Sequence, residues 1–141
     1  MNIQTFYVDD LAVGTSATMT RIVQVEDVNM FGELSGDFNP IHFDEEFAAS
    51  TRFGRRIAHG MLSASYISTV IGTQMPGHGT IYMSQSIDFK APVYLDDEVI
   101  TTVEVIELDL EKSRATLFCI CKVGDTIVIE GEARVLVPRR A

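Results

Sequence analysis

The stretch FGELSGDFNPIHFDEEFAASTRFGRRIAHGML, residues 31–62, decides the fold of this chain and carries its candidate chemistry. Gly36 predicts a turn because glycine tolerates backbone angles that other residues resist. The Asn39-Pro dipeptide predicts a second turn, since proline disfavours the helical conformation at the residue before it. A loop this rigid can hold the carboxylate of Asp37 and the imidazole of His42, five residues apart, on one small patch.

Two short helices are predicted around this loop. Before it, a strand-like run at 17–25 leads into Glu26-Asp, an acidic first turn that suits a helix dipole. Val28, Phe31 and Leu34 recur at three-residue steps as the apolar side of this helix, which Gly36 ends. After the loop, Asp44 is a predicted N-cap of a second short helix, and residues 51–56 read as a loop.

The longest helical pattern covers residues 58–71. Its apolar residues, among them Leu62 and Ile67, form a wide stripe. Gly60, Ala64 and Ser68 recur at i+4 and make a small-residue face, along which a backbone can approach closely. This pattern indicates a helix that a sheet wraps.

The remainder is β-rich, with predicted strands over 81–89, 98–108, 114–123 and 126–137 separated by turn signals. One strand, a helical excursion, a central helix and four strands predict an α+β fold, in which an antiparallel sheet wraps a central helix. Such a sheet leaves edges and one end of the helix open. We therefore expect a homodimer that covers them.

Length and charge limit the function classes. The 141 residues predict one domain spanning 1–141. A net charge of −9 argues against a nucleic-acid groove. No run approaches the apolar length of a membrane span, and the first residues show no secretory signal, so we expect no membrane partner and a cytoplasmic location.

Cys119 and Cys121 predict two packed thiols on a reduced strand; a redox or metal pair is the alternative.

A family resemblance rests on several motifs. They are Ser35-Gly-Asp37-Phe-Asn39-Pro-Ile-His42, Phe53-Gly, Ile57-Ala-His59-Gly60-Met-Leu, Gly79-Thr-Ile-Tyr82, Phe89-Lys-Ala-Pro-Val93 and Gly131-Glu-Ala. Together they resemble the MaoC-like dehydratase family, and within it the (R)-specific enoyl-CoA hydratases. The resemblance implies a hotdog fold and reversible hydration of trans-2-enoyl-CoA to (R)-3-hydroxyacyl-CoA. It implies no cofactor other than the coenzyme A of the substrate.

The resemblance also assigns roles in catalysis. It implies that Asp37 and His42 activate one water, and that the amide of Gly60 forms the oxyanion hole. We expect Asn39 to fix the loop through side-chain to backbone hydrogen bonds, with a direct substrate contact as the alternative. The resemblance places Ser68 near the catalytic water. From the residues alone, plainer interpretations stay open: a turn-capping Asp37, a packed polar His42, a packing Gly60 and a small packing Ser68.

Other residues receive weaker roles. Tyr66, Val70 and Ile71 are expected to close the acyl tunnel. Arg55 and Lys90, like Arg52 and Arg56, are basic residues in an acidic chain that could meet the phosphates of coenzyme A, and solvated surface charges are the alternative. We expect His59 to be structural and to face away from the site, and His78 to be exposed. The three histidines and two cysteines show no metal-ligand spacing, so we expect no metal.

Two other functions remain open at this point. A hotdog thioesterase would usually place an acid on the central helix, and residues 58–71 contain none. A non-catalytic acyl-CoA-binding subunit would need neither Asp37 nor His42. The sequence does not determine the preferred acyl chain length, nor whether coenzyme A or acyl carrier protein carries the thioester. It also leaves open the pathway, the physiological direction and any assembly beyond a dimer.

Overall fold

The computed structural model describes residues 5–140 of the chain. A 3-10 turn at Val8–Asp10 precedes the main elements. These are β1 (Ser16–Ile22), α1 (Val25–Ser35), α2 (Pro40–Phe43), α3 (Glu45–Ala49), α4 (Gly60–Thr73), β2 (Ile81–Gln85), β3 (Asp88–Phe89), β4 (Glu98–Asp109), β5 (Arg114–Val123) and β6 (Thr126–Leu136).

The strands form one antiparallel sheet in the order β1-β4-β5-β6-β2, with β3 also paired to β6. The helix α4 packs against this sheet. Ile67, Val70 and Ile71 of the helix are buried in the same cluster as Val103 of β4 and Leu117 of β5. The predicted α+β architecture, a sheet wrapped on a central helix, is confirmed. Among the described residues, no helix is both long and apolar enough to cross a lipid bilayer.

Local signals marked the helix ends correctly. Gly36 follows α1 with a φ of 80°, the left-handed conformation expected of a C-cap glycine. The side chain of Asp44 accepts a hydrogen bond from the backbone N–H of Phe47, as expected of an N-cap. Gly60 is the first residue of α4.

Two local features differ from the prediction. Asn39 is non-helical as predicted, but the proline that follows it also opens the one-turn helix α2, which was not predicted, because proline suits the first position of a helix. Leu34 is 87% exposed instead of core-facing. Residues spaced by three drift by about 60° per step around a helix with 3.6 residues per turn, so Leu34 has rotated away from the side that Val28 buries.

The predicted strand at 81–89 is divided into β2 and β3. The pairing of β2 with β6 shifts by one residue between Tyr82 and Ser84. From Ser84 onward β2 and β3 keep one register on β6, with Gln85 opposite Ala133 and Asp88 opposite Glu130, but Ser86 and Ile87 leave the regular ladder. Gly131 of β6 permits this, since a Cβ there would lie 1.9 Å from the carbonyl oxygen of Ser86. The glycine is therefore required by a close backbone approach.

The small-residue face of α4 does not lie against the sheet as predicted. Ala64 is buried, but Gly60 and Ser68 are exposed, together with the neighbouring Met61. The large branched side chains take the sheet-facing positions because burying them removes more apolar surface from water. One side of the central helix is thus uncovered in the single chain.

The cysteine prediction is confirmed. Cys119 and Cys121 are free thiols, both buried in the core cluster. Burial raises the pKa of the Cys119 thiol to about 11, which keeps it protonated at neutral pH. These thiols are inert packing groups on β5.

Candidate active site

The loop that carries Asp37 is fixed by consecutive side-chain to backbone hydrogen bonds. Ser35 Oγ accepts from the N–H of Asp37 at 3.2 Å, and Asp37 Oδ1 accepts from the N–H of Asn39 at 3.1 Å. Asn39 Oδ1 accepts from the N–H of Ile41 at 3.2 Å. The predicted role of Asn39 in holding the loop is confirmed, and Asp37 itself remains exposed with its second carboxylate oxygen available.

His42 is held by the segment that leads into α4. Its Nδ1 lies 2.8 Å from the carbonyl oxygen of Ile57. A carbonyl only accepts, so Nδ1 carries the proton and Nε2 presents a lone pair. A second hydrogen bond joins the same two segments: Arg56 Nε donates to the main-chain oxygen of His42 at 2.7 Å. Arg56 therefore serves this scaffold and is not a free surface charge.

His59 lies inside the site, and the prediction that it faces elsewhere is wrong. Its ring stacks on that of His42, with centroids 4.0 Å apart and planes 28° apart. Its Nε2 is 2.9 Å from the main-chain oxygen of Asp37. The sequence offered one signal for this placement: His59 is the N-cap residue of α4, directly beside Gly60.

The structure brings the proposed acid and base within reach of one water. Asp37, His42 and His59 each offer a carboxylate oxygen or a ring nitrogen, and these three atoms lie within 4.8 Å of one another. Two hydrogen bonds of about 2.8 Å from one water, near the tetrahedral angle, span about 4.6 Å. The upper bound of 4.8 Å between an Asp37 carboxylate oxygen and a His42 ring nitrogen is compatible with a single bridging water.

The same three groups include ligand types that could hold a metal ion, although their sequence spacing did not indicate it. However, each histidine already uses one ring nitrogen on a backbone carbonyl. The remaining nitrogen of His59, Nδ1, is buried with no hydrogen-bond partner among the described residues. The expectation of no metal stays a prediction.

Burial sets the protonation state of His42. Its pKa is lowered from the usual 6.5, first by burial and further by electrostatic interactions with His59 and Arg56. The Ile57 carbonyl and the Asp37 carboxylate act in the opposite direction but do not compensate. The His42 ring is therefore neutral at physiological pH.

Gly60 presents a helix N-terminus to the site. Its N–H is one of the first four of α4, which have no partner inside the helix. A Cβ at this position would lie 2.7 Å from Cε1 of the Phe89 ring. Both the packing interpretation and the oxyanion interpretation of this glycine are thus consistent with the structure.

A cavity of about 470 Å³ opens beside His42 and Gly60. Its wall is mostly apolar, with Phe53, Phe89 and Val93, and two cations, Arg52 and Lys90, also line it. This size and mixture are typical of small-molecule sites. The apolar wall residues were not predicted as site residues, although Phe53, Phe89 and Val93 belong to the motifs that carry the resemblance.

Several predicted site residues lie elsewhere in the described structure. Val70 and Ile71 are in the core, and Tyr66 lines a separate cleft between α1 and α4. Ser68 is exposed on α4. The Arg55 guanidinium stacks over the Tyr94 ring, 3.9 Å from its centroid. Of the predicted site residues, His42, Gly60 and Lys90 line the cavity, whereas Asp37, Asn39 and these five are not among its described lining residues. The substrate roles of the five stay predictions.

Comparisons with known proteins agree with this geometry. Residues 11–118 match the family described as the MaoC like domain. The chain belongs to the MaoC-like family. It is 48% identical to the 3-hydroxybutyryl-CoA dehydratase of Methylorubrum extorquens, covering 98% of this chain and 88% of that protein. It is also 48% identical to the (R)-specific enoyl-CoA hydratase of Rhodospirillum rubrum, covering 95% of this chain and 93% of that one.

A solved structure shows the same fold. The unliganded R-hydratase PhaJ1 of Pseudomonas aeruginosa superposes with a TM-score of 0.92 and is 39% identical, over 98% of this chain and 89% of that one. As a member of the MaoC-like family, this chain has the hotdog fold that its motifs predicted.

The protonation of His42 can be measured directly. We expect its imidazole to titrate with a midpoint below 6.5, because burial disfavours the charged ring. Two-dimensional NMR of the histidine side chains across pH 4–9 gives the midpoint, and the His42→Gln variant assigns the signal by its loss. A midpoint at or above 6.5 would contradict the neutral-base interpretation.

Proposed function

We propose that this protein is an (R)-specific enoyl-CoA hydratase, which adds water reversibly to trans-2-enoyl-CoA and gives (R)-3-hydroxyacyl-CoA. Family membership and the names of two relatives at 48% identity support the reaction class. One observation carries the proposal: a carboxylate oxygen of Asp37 and a ring nitrogen of His42 lie within 4.8 Å of each other, beside the first amide of α4.

The proposed reaction starts with a water held between the two side chains. The Asp37 carboxylate accepts one hydrogen bond from the water, and Nε2 of neutral His42 accepts the other. As the water oxygen attacks C3 of the enoyl group, its proton passes to Nε2. The adjacent carboxylate stabilises the imidazolium that forms.

In the second half of the reaction, the thioester accepts negative charge and C2 accepts a proton. Attack at C3 moves the alkene electron pair toward the thioester, whose oxygen gains negative charge as an enolate. The N–H of Gly60 and the positive end of the α4 dipole stabilise that charge. The His42 imidazolium then returns its proton to C2, so one water has been added and both side chains are regenerated.

The cavity suits a thioester of this type. Its apolar wall, which includes Phe53 and Val93, accommodates hydrocarbon, while Arg52 and Lys90 supply positive charge for phosphate groups. Lys90 is also near Glu130, 3.8 Å away, so it is a partly compensated cation. We propose coenzyme A as the carrier and no cofactor beyond the substrate, since hydration transfers protons and needs no change in oxidation state.

The two alternative functions have less support. α4, from Gly60 to Thr73, carries no aspartate or glutamate, and hotdog thioesterases usually place their acid there. A binding subunit without activity has no need to hold Asp37 and His42 at water-bridging distance. The hydratase is therefore the function that the site supports best.

We also propose a homodimer. β2 is an edge strand of the sheet, and its Ile81, Tyr82 and Met83 are exposed. Met61, on the uncovered side of α4, is 57% exposed. A second copy that pairs along β2 would cover an open edge and apolar side chains together.

The buried free thiols fit a reducing compartment, which supports a cytoplasmic location.

The activity is tested with crotonyl-CoA and longer trans-2-enoyl-CoA substrates, by loss of the enoyl thioester absorbance and by chiral analysis of the product. Asp37→Asn keeps an oxygen for the Asn39 N–H but removes the charge, and His42→Gln removes the base. Each should lower kcat by roughly 10²- to 10⁴-fold. Asp125→Asn and His78→Gln, at exposed turns, are the matched controls.

No absorbance loss at any chain length would overturn the hydratase proposal. Release of free thiol in its place would favour the thioesterase. Binding of the substrate analogue butyryl-CoA without turnover of any enoyl-CoA would favour the binding subunit.

The two interpretations of Gly60 are separable. Gly60→Ala should lower kcat/KM by roughly tenfold or more, because the methyl group displaces the thioester oxygen from the amide. The methyl also meets the Phe89 ring, so the comparison needs Phe89→Leu and the double variant. If the oxyanion role holds, the double variant stays well below Phe89→Leu. If it matches Phe89→Leu, the glycine serves packing alone.

The homodimer is tested by sedimentation equilibrium. We expect a mass of two chains for the wild type and dissociation for Ile81→Lys, since a buried unpaired charge is costly. Leu110→Lys is the control, because Leu110 is as exposed as Ile81 (55% and 56%) but follows β4, which β5 and β6 separate from β2 in the sheet. A wild-type monomer at micromolar concentration, or an intact Ile81→Lys dimer, would contradict the assignment.

A further inference from the structure

His59 is the one residue of the site cluster that the proposed reaction leaves unused. It is 2% exposed and is enclosed by three rings from other segments. The centroids of Phe31 in α1, Phe43 in α2 and His42 lie 4.8, 5.6 and 4.0 Å from its own. A ring so confined has one orientation, and that orientation directs Nε2 at the Asp37 main chain.

We propose that His59 is a positioning residue for the hydration reaction: its hydrogen bond to the Asp37 carbonyl and its stack on His42 hold the carboxylate, the imidazole and the Gly60 amide in one geometry. This inference rests on the proposed function and deepens it. His59 touches neither the water nor the substrate in this account, and acts only through the groups that do.

The hydrogen bond joins two parts of the site that are far apart in sequence. The carbonyl of Asp37 only accepts, so Nε2 of His59 carries the proton and donates it. His59 also supplies the carbonyl half of the peptide whose N–H belongs to Gly60. The side chain of one residue therefore ties the proposed oxyanion donor to the backbone that carries the proposed carboxylate.

The stack limits the freedom of His42. The Ile57 carbonyl fixes one edge of the His42 ring, and the face of His59 fixes its plane. With both restraints, Nε2 of His42 points in a single direction. Misplacing a reacting group by about 1 Å can lower a rate by roughly 100-fold, so restraints of this kind have a direct effect on kcat.

A purely packing role for His59 fits the structure less well. Its Nδ1 is buried with no hydrogen-bond partner among residues 5–140, and an unpaired buried ring nitrogen costs stability. A phenylalanine would fill the same aromatic enclosure without that cost. The imidazole is therefore explained by what its other nitrogen and its face do for Asp37 and His42.

Two variants separate the contributions of the ring and the donor. His59→Phe keeps an aromatic face against His42 but cannot donate to the Asp37 carbonyl. His59→Gln keeps an amide N–H that can reach the carbonyl but has no ring to stack. His78→Gln is the matched control, because His78 is exposed in a glycine-rich turn.

We expect His59→Phe to lower kcat for crotonyl-CoA by roughly tenfold or more while KM changes by less than about threefold, since the loss is in transition-state geometry. Its unfolding temperature should remain close to that of the wild type. His59→Gln should recover part of kcat.

The pH profile tests the electrostatic contact between the His59 and His42 rings, and it is read together with the change in kcat. Four groups act on the charge of His42: Asp37, Arg56, the Ile57 carbonyl and His59, which lowers its pKa. Removing the His59 imidazole raises the pKa of His42. The neutral base is then lost at higher pH, so the acid limb of kcat/KM shifts upward in both variants and stays in place in His78→Gln.

These experiments distinguish failure of the positioning role of His59 from failure of the proposed hydratase function. If the wild type does not hydrate crotonyl-CoA or its homologues, the hydratase itself is rejected. If the wild type is active and His59→Phe retains its kcat and its acid limb, only the positioning role is rejected. A fall in kcat that merely follows loss of folded protein, measured by thermal unfolding of each variant, would also overturn it.

Discussion

The site depends on a reciprocal pair of hydrogen bonds between α2, which follows Asn39, and the segment before α4. His42 donates from its ring to the Ile57 carbonyl, and its own main-chain oxygen accepts from Arg56. These bonds fix the tautomer of the base and place it beside the first amide of the central helix. The sheet and α4 form a rigid frame, and this pair of bonds connects the reactive loop to it. Without them, neither the distance from His42 to Asp37 nor the tautomer of the ring would be set.

Much of the fold could be predicted because its signals are local. A glycine that must adopt a positive φ marks the end of α1, and a side-chain cap at Asp44 marks the start of α3. The loop bonds of Asn39 follow equally from short-range chemistry. The family motif then added what spacing could not, namely that the Asp37 and His42 pair meets the start of α4.

Two errors are local, since proline opens α2 and residues three apart rotate around α1 until Leu34 is exposed. The other errors come from tertiary contacts. The sequence does not reveal that three aromatic rings enclose His59, nor that the Ser86 backbone crosses Gly131 closely enough to divide a strand. The cavity walls were missed for the same reason. Phe53 and Phe89 are far apart along the chain and line one cavity only in the folded protein.

The central claim is that one water, held by Asp37 and His42, supplies both the hydroxyl group and the proton on a single face of the alkene. Hydration of crotonyl-CoA in D₂O tests it most directly, with the configuration at C2 read by NMR at early conversion. The account predicts a single diastereomer in which the deuterium and the hydroxyl group have added to the same face. Addition to opposite faces, or an equal mixture at C2, would contradict it.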